Sequence, residues 1–216
     1  MDYNRREIKL PEYLGRIYTE LHKGVLITTQ GDGKPNAMTI SWGALGIDWA
    51  RPVFTTYVRH SRYTHELLER GGEFTVNIPF GEADRKIMGF CGSKSGRDID
   101  KFAALGLTAV PSLSVAPPAI AQLPLTLECR VVNKGEQSID ALTDAAKDRF
   151  YPAVDGVRDT HHLLWRDTQG LYPREGLTSG RSDRRGIKQR LPALRCVGSR
   201  LLFSVAPMSR GGLGFA

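Results

Sequence analysis

The sequence lacks the features that mark membrane, disulfide-rich and metal-binding proteins. Its 216 residues contain no uninterrupted apolar run of membrane-spanning length and no apolar leader at the amino terminus, so we expect a cytoplasmic protein without a membrane partner. The three cysteines, Cys91, Cys129 and Cys196, are widely separated and form no C-x-x-C pair, which predicts reduced thiols rather than disulfides or a thiolate metal site. The histidines also lack the spacing of metal ligands, and we predict no metal.

The motifs of several common enzyme classes are missing too. We find no assembled Ser/His/Asp or Cys/His nucleophile set and no clear pair of catalytic carboxylates. Gly89 and Gly92 have the wrong spacing for a P-loop. Gly31-x-Gly33 is no dinucleotide fingerprint, because Asn36 stands where the third glycine should be. We therefore predict no catalytic side chain, and any chemistry should come from a cofactor.

Acidic residues are scarce in the last quarter of the chain. Residues 161–216 hold ten Lys or Arg against three Asp or Glu, which accounts for the whole formal net charge of +7 and leaves residues 1–160 neutral. We expect one domain over residues 1–160 and a basic, low-order, irregular tail over residues 161–216. A tail that binds nucleic acid is the weaker alternative, because few aromatic residues are interleaved with its cations.

The pattern of the first 160 residues is that of short strands with inserted helices. Apolar, β-branched and alternating runs predict strands at residues 24–29, 36–42, 52–58, 73–78 and 123–132. Helices are expected at residues 61–70, 82–90 and 98–104. The glycines between residues 31 and 35 predict a hairpin. The expected fold class is therefore mainly β with α insertions, a small barrel rather than a doubly wound nucleotide fold.

The first candidate binding segment is Arg59-His60-Ser61-Arg62-Tyr63-Thr64, between a predicted strand and a predicted helix. A helix amino terminus presents unpaired backbone N–H groups and a positive dipole end, and this one adds two guanidinium groups and hydroxyls. The segment therefore predicts a phosphate cradle. The alternative is that Ser61 only caps the helix and that both arginines are solvated.

The second candidate is the basic loop Cys91-Gly92-Ser93-Lys94-Ser95-Gly96-Arg97 and the helix that follows it, which contains Lys101. Its glycines permit a backbone nest whose N–H groups converge on an anion. The alternative is a flexible surface loop without a ligand.

Four motifs, taken in order, resemble the flavin reductase-like, flavoredoxin-type proteins of the FMN-binding split-barrel fold. They are Asn36-Ala37-Met38-Thr39-Ile40-Ser41-Trp42, the segment 59–64, Glu73-Phe74-Thr75-Val76-Asn77-Ile78-Pro79, and residues 91–102. The resemblance continues through Pro124-Leu125-Thr126-Leu127-Glu128-Cys129 and covers about residues 20–160. It implies a split β-barrel over residues 1–160.

The resemblance also implies a cofactor and a site. FMN would lie against strand 36–42, with backbone groups and the small side chains of Ala37, Thr39 and Ser41 lining the isoalloxazine. The phosphate would meet Arg59, Ser61, Arg62 and Thr64, helped by Ser95, Arg97 and Lys101. The full set of predicted FMN-binding residues is Asn36, Ala37, Met38, Thr39, Ser41, Trp42, Arg59, Ser61, Arg62, Tyr63, Thr64, Ser95, Gly96, Arg97 and Lys101.

The function that the resemblance implies is an oxidoreductase of flavin reductase or flavoredoxin type. It would pass electrons from NADH, NADPH or a protein donor through FMN to a small-molecule or protein acceptor. Family members are typically homodimers, so a homodimer is expected here. The alternative is a non-catalytic flavin- or nucleotide-binding module, since the same barrel could hold a cofactor without turning it over.

The chain departs from the family pattern after His161. A strand of the type Thr-x-Tyr-x-Gly-Glu-Ile is expected there, but the sequence reads His162-Leu163-Leu164-Trp165-Arg166-Asp167. A reading frame shifted by one base permits the expected strand, and it forces only the glycine. We hypothesise a frame shift, which predicts a barrel without one edge strand and weaker flavin binding. The alternative is a genuine basic extension, and resequencing the source DNA decides between the two.

Overall fold

The computed structural model describes residues 5–48, 50–80, 85–154 and 157–173. The strands are Arg5–Glu7 (β1), Val25–Gly31 (β2), Lys34–Ile40 (β3), Gly43–Asp48 (β4), Arg51–Arg59 (β5), Glu73–Ile78 (β6), Ala109–Val110 (β7), Ala119–Ile120 (β8), Leu125–Glu136 (β9), Ala153–Val154 (β10), Val157–Arg158 (β11) and His161–Pro173 (β12). The helices are Leu14–Lys23 (α1), Tyr63–Gly71 (α2), Arg85–Ser93 (α3), Lys101–Leu105 (α4) and Asp144–Phe150 (α5), and a 3₁₀ turn, Leu10–Tyr13, precedes α1.

One antiparallel sheet dominates the fold. Its order is β3-β2-β6-β9-β12-β5-β4, and β1 pairs with β12 beside this path. Strands β3 and β4 therefore lie at the two ends of the sheet. The expected fold class, mainly β with α insertions, is confirmed. None of the helices in the described part of the chain is long and apolar enough to cross a membrane.

The predicted hairpin is present between β2 and β3. Asp32 and Gly33 form its two-residue turn, and both have positive φ, 50° and 75°. Such a turn matches the right-handed twist of the flanking strands. The predicted strand was too long at its carboxyl end, because β3 ends at Ile40 and Gly43 begins β4.

The structure differs from the sequence expectation after residue 160. The backbone of β12 continues the sheet to Pro173, paired with β9 on one side and β5 on the other. Every residue except proline offers a backbone donor and acceptor, so a strand position can be filled by a sequence without the family pattern. The ordered sheet thus extends beyond the predicted boundary. The predicted tail from residue 174 onward lies outside the described residues, and the frame shift stays a hypothesis.

Two apolar clusters flank the sheet. The larger lies on its inner face and includes Phe54 and Phe74, both fully buried. The smaller lies between the outer face of β2 and β3 and the helices α3 and α4, and it includes Ala37, Cys91 and Phe102. Burying a large apolar side chain is worth about 1.5–3 kcal/mol. Strand β3 is therefore held on both faces, which fixes the position of its outer edge.

Candidate functional site

Two adjoining cavities lie where the edge of β3, the start of α2 and the loop between α3 and α4 meet. The smaller, about 90 Å³, is called here the cationic cavity, and it is lined by Asn36, Met38, Ser61, Arg62, Tyr63, Thr64, Cys91, Gly92, Lys94, Ser95, Gly96, Arg97 and Lys101. The larger, about 230 Å³, is called the aromatic cavity, and it is lined by Met38, Thr39, Ile40, Ser41, Trp42, Tyr57, Arg59, Arg62 and Gly92. The two share Met38, Arg62 and Gly92.

The cationic cavity carries uncompensated positive charge. Four of its lining residues are cations and none is an acid. Arg97 is paired with Glu66. Within the described part of the chain, Arg62, Lys94 and Lys101 take part in no ion pair. The cavity therefore suits an anion such as a phosphate.

Lys101 is the buried cation of this cavity, with 4% of its surface exposed. Its Nζ donates to the carbonyl oxygens of Ala37, at 2.7 Å, and Cys91, at 3.1 Å. Burial lowers the pKa of Lys101, an effect that Cys91 opposes and Arg62 reinforces. An ammonium group has three donors, so one remains for a ligand in the cavity.

Asn36 contributes an acceptor that has no donor. Its Nδ2 donates to the hydroxyls of Thr64, at 3.0 Å, and Thr29, at 3.5 Å. Its Oδ1 is buried and, among the described residues, accepts no hydrogen bond. The loop passes so close that a Cβ built on Gly96 would lie 2.1 Å from this oxygen. Leaving a buried acceptor unpaired costs about 1–3 kcal/mol, so the site fits a ligand that brings a hydroxyl or another donor.

The start of α2 faces the same cavity. Arg62 is the N-cap residue, with an extended backbone, and its side chain makes no capping bond. The N–H of His65 donates to the Arg62 carbonyl oxygen at 2.8 Å, so the N–H groups of Tyr63 and Thr64 are the first-turn donors that the helix itself does not pair. The helix ends at Gly71, and its C-cap residue Gly72 has a left-handed φ of 61°, a conformation that glycine adopts without strain.

Ser61 lines the cationic cavity, where the sequence placed it, and it also contacts an acidic residue. Its Oγ lies 2.5 Å from Asp159 Oδ2, and its backbone N–H donates to Asp159 Oδ1 at 3.4 Å. Its hydroxyl is thus held by a carboxylate rather than free for a phosphate. Asp159 lies 98 residues away in the sequence, and no local pattern could have revealed this contact.

Arg97 and Ser95 organise the loop around the cavity. The Arg97 guanidinium donates to the carbonyl oxygen of Ser61, at 3.1 Å, and to Glu66, and it lies over the Tyr63 ring at 5.4 Å. Its backbone N–H donates to Ser95 Oγ at 3.2 Å. The structure brings both residues to the predicted place, but the charge of Arg97 is already balanced by Glu66. It ties the loop to α2.

Arg59 lines the aromatic cavity, together with Arg62, and not the cationic cavity that holds the other predicted phosphate residues. Its Nη2 donates to the carbonyl oxygen of Phe150 at 2.6 Å, and its guanidinium lies 5.7 Å from the centre of the Tyr151 ring. The physical reason is its strand position. It is the last residue of β5 and stands before the turn that leads to α2.

Strand β3 contributes side chains from both faces rather than only its small ones. The side chain of Ala37 is fully buried in the smaller apolar cluster and does not line either cavity. Thr39 and Ser41 do line the aromatic cavity, although the Thr39 hydroxyl donates to the carbonyl oxygen of Met88 at 2.6 Å. Met38 lines it from the other face of β3, and Trp42 lies two residues beyond the end of the strand. This happens because β3 lies at the edge of the sheet and presents its backbone edge to the cavity.

Five lining residues were not in the predicted set: Ile40, Tyr57, Cys91, Gly92 and Lys94. Lys94 lies inside the basic loop that the sequence singled out, so its charge was an available signal. Tyr57 stands two residues before Arg59 and therefore on the same face of β5. Burial raises the pKa of the Cys91 thiol, an effect that Lys101 opposes. In the described part of the chain, no three His, Cys, Asp or Glu side chains could hold a metal ion.

Comparison with known proteins decides the family. A family model described as a flavin reductase like domain matches residues 20–165. The chain belongs to the flavin reductase-like family. An uncharacterized protein of Archaeoglobus fulgidus is 34% identical over 129 residues, which are 60% of this chain and 68% of the relative.

Solved structures of this family share the fold. A flavoredoxin of Desulfovibrio vulgaris (Miyazaki F) has 24% identity and a TM-score of 0.53, over 70% of this chain and 69% of that one. An FMN-binding domain of a flavin reductases-like enzyme from Shewanella baltica OS155 has 19% identity and a TM-score of 0.54, over 80% and 79% of the two chains. The family resemblance seen in the sequence is confirmed, and so is the split-barrel fold.

Proposed function

We propose that this member of the flavin reductase-like family binds FMN across the two cavities and is a flavin-dependent oxidoreductase. It would pass electrons from a nicotinamide nucleotide or a protein donor through FMN to a second acceptor. The observation that carries the proposal is a cavity in which three cations and one buried acceptor have no ion pair or donor among the described residues, next to a cavity with aromatic walls. The Shewanella baltica structure of the same fold is itself an FMN-binding domain.

The cationic cavity fits the phosphate. Arg62 and Lys94 are exposed cations without an ion pair among the described residues, and Lys101 adds a buried ammonium with one donor left. A phosphate monoester carries about −1.5 to −2 charge at pH 7. These three residues would neutralise that charge, and the start of α2 would add backbone donors.

Asn36 fits the ribityl chain. Its Oδ1 needs a donor, which a phosphate dianion cannot supply but a sugar hydroxyl can. Thr64 and Thr29 hold the amide nitrogen, so the carboxamide cannot easily turn away. Asn36 would therefore favour a ligand with hydroxyls next to its phosphate over a bare anion.

The aromatic cavity fits the ring. Met38, Ile40, Trp42 and Tyr57 give it apolar and aromatic walls, and the edge of β3 gives it backbone polar groups. These residues would orient the isoalloxazine and shield it from water. When bound, FMN would supply the two-electron chemistry, so no side chain of the chain needs to act as a general acid or base.

An anaerobic titration tests the proposal. Protein purified with added FMN should be yellow, retain the flavin through gel filtration, and lose its flavin absorbance bands on addition of NADH or NADPH. The control is free FMN at the same concentration, which shows the uncatalysed reduction. Protein that retains no FMN would contradict the proposal. Bound FMN that neither nucleotide nor dithionite-reduced ferredoxin reduces would favour a non-catalytic flavin-binding module.

We also propose that the protein is a homodimer, as the family expectation has it. Trp42 and Phe150, each 37% exposed, and Ile47, 69% exposed on the end strand β4, are large apolar side chains that a second copy could cover. Light scattering coupled to gel filtration measures the mass directly. A mass near twice 23.9 kDa supports the dimer, and a mass near 23.9 kDa across the micromolar range contradicts it.

A further inference from the structure

The loop between α3 and α4 forms one wall of the cationic cavity, and the start of α2 forms another. Both ends of this loop are anchored, because Cys91 in α3 and Phe102 in α4 are buried in the smaller apolar cluster. The middle of the loop, residues 94–97, is half-buried or exposed. Residues 94–97 are therefore the part of this wall that apolar packing holds least.

The backbone of residues 94–97 bonds only to residues that are close by in the chain. The Ser95 carbonyl oxygen accepts from the N–H groups of Asp98, at 3.3 Å, and Ile99, at 3.2 Å. The Arg97 N–H donates to Ser95 Oγ at 3.2 Å. Among the described residues, no backbone group of residues 94–97 is bonded to α2 or to the sheet. Backbone pairing therefore does not hold this wall in place.

The side chain of Arg97 supplies the link between the loop and the start of α2. Its Nη1 donates to the Ser61 carbonyl oxygen at 3.1 Å, its Nη2 donates to Glu66 Oε1, and the guanidinium lies 5.4 Å from the centre of the Tyr63 ring. The side chains of Arg97 and Glu66 are 40% and 49% exposed. An ion pair with this exposure is weak and is screened by salt. The link can therefore break and form again at little cost.

In its present position the loop packs directly on the opposite walls. A Cβ built on Gly96 would lie 2.1 Å from Asn36 Oδ1 and 3.0 Å from Cδ1 of the Tyr63 ring. The backbone of the loop thus touches both β3 and α2. The loop and α2 must separate before a group as large as a phosphate can pass between them.

We propose that the ion pair between Arg97 and Glu66 is a latch that controls how fast a phosphate-bearing ligand enters and leaves the cationic cavity. When the pair breaks, residues 94–97 separate from α2 and the cavity opens. When the pair forms, the loop closes over the ligand. Glu66 lines neither cavity, so it acts on the ligand only through Arg97. This inference rests on the proposed function, because FMN is the ligand whose exchange the latch controls.

Hydrogen–deuterium exchange of the flavin-free protein tests the latch without a ligand. The double variant Glu66→Gln/Arg97→Gln breaks the ion pair and leaves the net charge unchanged. Its N–H groups at residues 94–99 should exchange about three- to tenfold faster than those of the unaltered protein, because opening then breaks one ion pair and one hydrogen bond fewer. The buried strand β2 is the internal reference and should exchange at an unchanged rate.

Glu69→Gln/Lys134→Gln is the matched control. It removes an ion pair that α2 makes with β9 instead of with the loop, between side chains of similar exposure, 36% and 47%. The change in charge is the same, and exchange at residues 94–99 should match that of the unaltered protein. Faster exchange there in both double variants would show a general loosening of α2 and would contradict the latch.

Salt provides a second measurement on the unaltered protein, and it decides the matter if the double variant does not fold. Raising sodium chloride from about 0.01 M to about 1 M shortens the Debye length about tenfold, so the exposed pair of Arg97 and Glu66 weakens. Exchange at residues 94–99 should rise about twofold or more relative to β2. In Glu66→Gln/Arg97→Gln it should not depend on salt.

Stopped-flow fluorescence with FMN as the probe measures the consequence for the ligand. The rate constants of association and dissociation should both rise about three- to tenfold in Glu66→Gln/Arg97→Gln, because the same opening step precedes both. Their ratio, the Kd, should change by less than either rate constant.

The inference is overturned by exchange at residues 94–99 that the double variant or salt leaves unchanged. It is also overturned by faster dissociation of FMN without faster association, which would make Arg97 a direct ligand of the phosphate. Failure of the proposed function has a different signature, since no FMN would bind while the exchange of residues 94–99 still responds to the double variant and to salt.

Discussion

The two adjoining cavities differ in how buried their polar side chains are and in how many hydrogen bonds the protein itself makes to them. In the cationic cavity, Lys101 and Asn36 are buried and each is held by other residues, with one donor and one acceptor left over. In the aromatic cavity, Arg59 and Trp42 stand at a partly exposed rim. The first arrangement suits the phosphate end of the proposed cofactor, and the second suits its flat ring. Cations that lie close together in sequence therefore serve different sides of the site.

The largest expected effect comes from removing the buried cation of the cationic cavity. Lys101→Met should weaken FMN about 10- to 100-fold, since a charge-assisted hydrogen bond is worth about 1.5–3 kcal/mol. The affinity for riboflavin, which has no phosphate, should change far less. Lys34→Met on the exposed start of β3 is the charge-matched control and should leave both affinities unchanged. Flavin fluorescence quenching measures both. Equal losses for FMN and riboflavin would contradict the phosphate role of Lys101.

Gly96→Ala should damage the same cavity through packing. The new Cβ would lie 2.1 Å from Asn36 Oδ1, so the asparagine or the loop must move, at a cost of about 1–3 kcal/mol in stability. We expect FMN affinity to fall about tenfold with it. Gly89→Ala in α3 is the control, because a Cβ there meets nothing within 4 Å. Chemical denaturation and flavin titration check both variants, and a Gly96→Ala protein with normal FMN affinity would refute the contact.

The deprotonation of Lys101 should also be visible in the pH dependence of FMN binding. Burial lowers the pKa of Lys101 in the free protein below 10.5, and a bound phosphate dianion raises it again. The affinity for FMN should therefore have its full value at pH values below the pKa of Lys101 in the free protein. It should fall as the pH rises through that pKa. The fall is about tenfold for each unit by which the ligand raises the pKa. Titrations at alkaline pH measure it.

Lys101→Met serves as the control for this pH effect and should remove the alkaline fall. The stability of the flavin-free protein should change with pH in the opposite direction to the FMN affinity. In the flavin-free protein the lowered pKa makes the free energy of unfolding rise with pH between the folded and unfolded pKa values, because the unfolded chain binds more protons there. An alkaline fall in FMN affinity that survives in Lys101→Met would assign it to another group.

The smallest expected effect concerns the contact between Ser61 and Asp159. Asp159→Asn removes a negative charge from the approach to the cationic cavity while keeping an acceptor for the Ser61 hydroxyl. FMN affinity should rise about two- to threefold at low salt, and the gain should shrink as salt is added. Riboflavin affinity should stay the same. A fall in FMN affinity would mean that Asp159 holds Ser61 in the productive position.

Much of the sheet could be predicted because its strands carry local signals. The hairpin of β2 and β3 follows from the residues at its turn, and β6 from a short β-branched run. Strand β4 was not predicted, since its two glycines, Gly43 and Gly46, weaken the strand pattern. Helix α1 was also missed, although Ile17 and Leu21, both buried, are four residues apart.

The sequence predicted which segments of the chain form the site, but not which contacts each residue makes there. The segments that supply the cationic cavity could be recognised, because helix starts and glycine-rich basic loops have a sequence pattern. The position of Arg59 outside the cationic cavity, and the hydrogen bond between Ser61 and Asp159, depend on contacts between residues far apart in the chain. Such contacts leave no local trace in one sequence.

The central claim is that the cationic cavity holds the phosphate of FMN, and the comparison of FMN with riboflavin tests it most directly. Flavin fluorescence quenching at pH 7 should give an affinity for FMN at least about a hundredfold above that for riboflavin. The difference should narrow to about tenfold or less in Lys101→Met. Equal affinities for FMN and riboflavin in the unaltered protein would contradict the account.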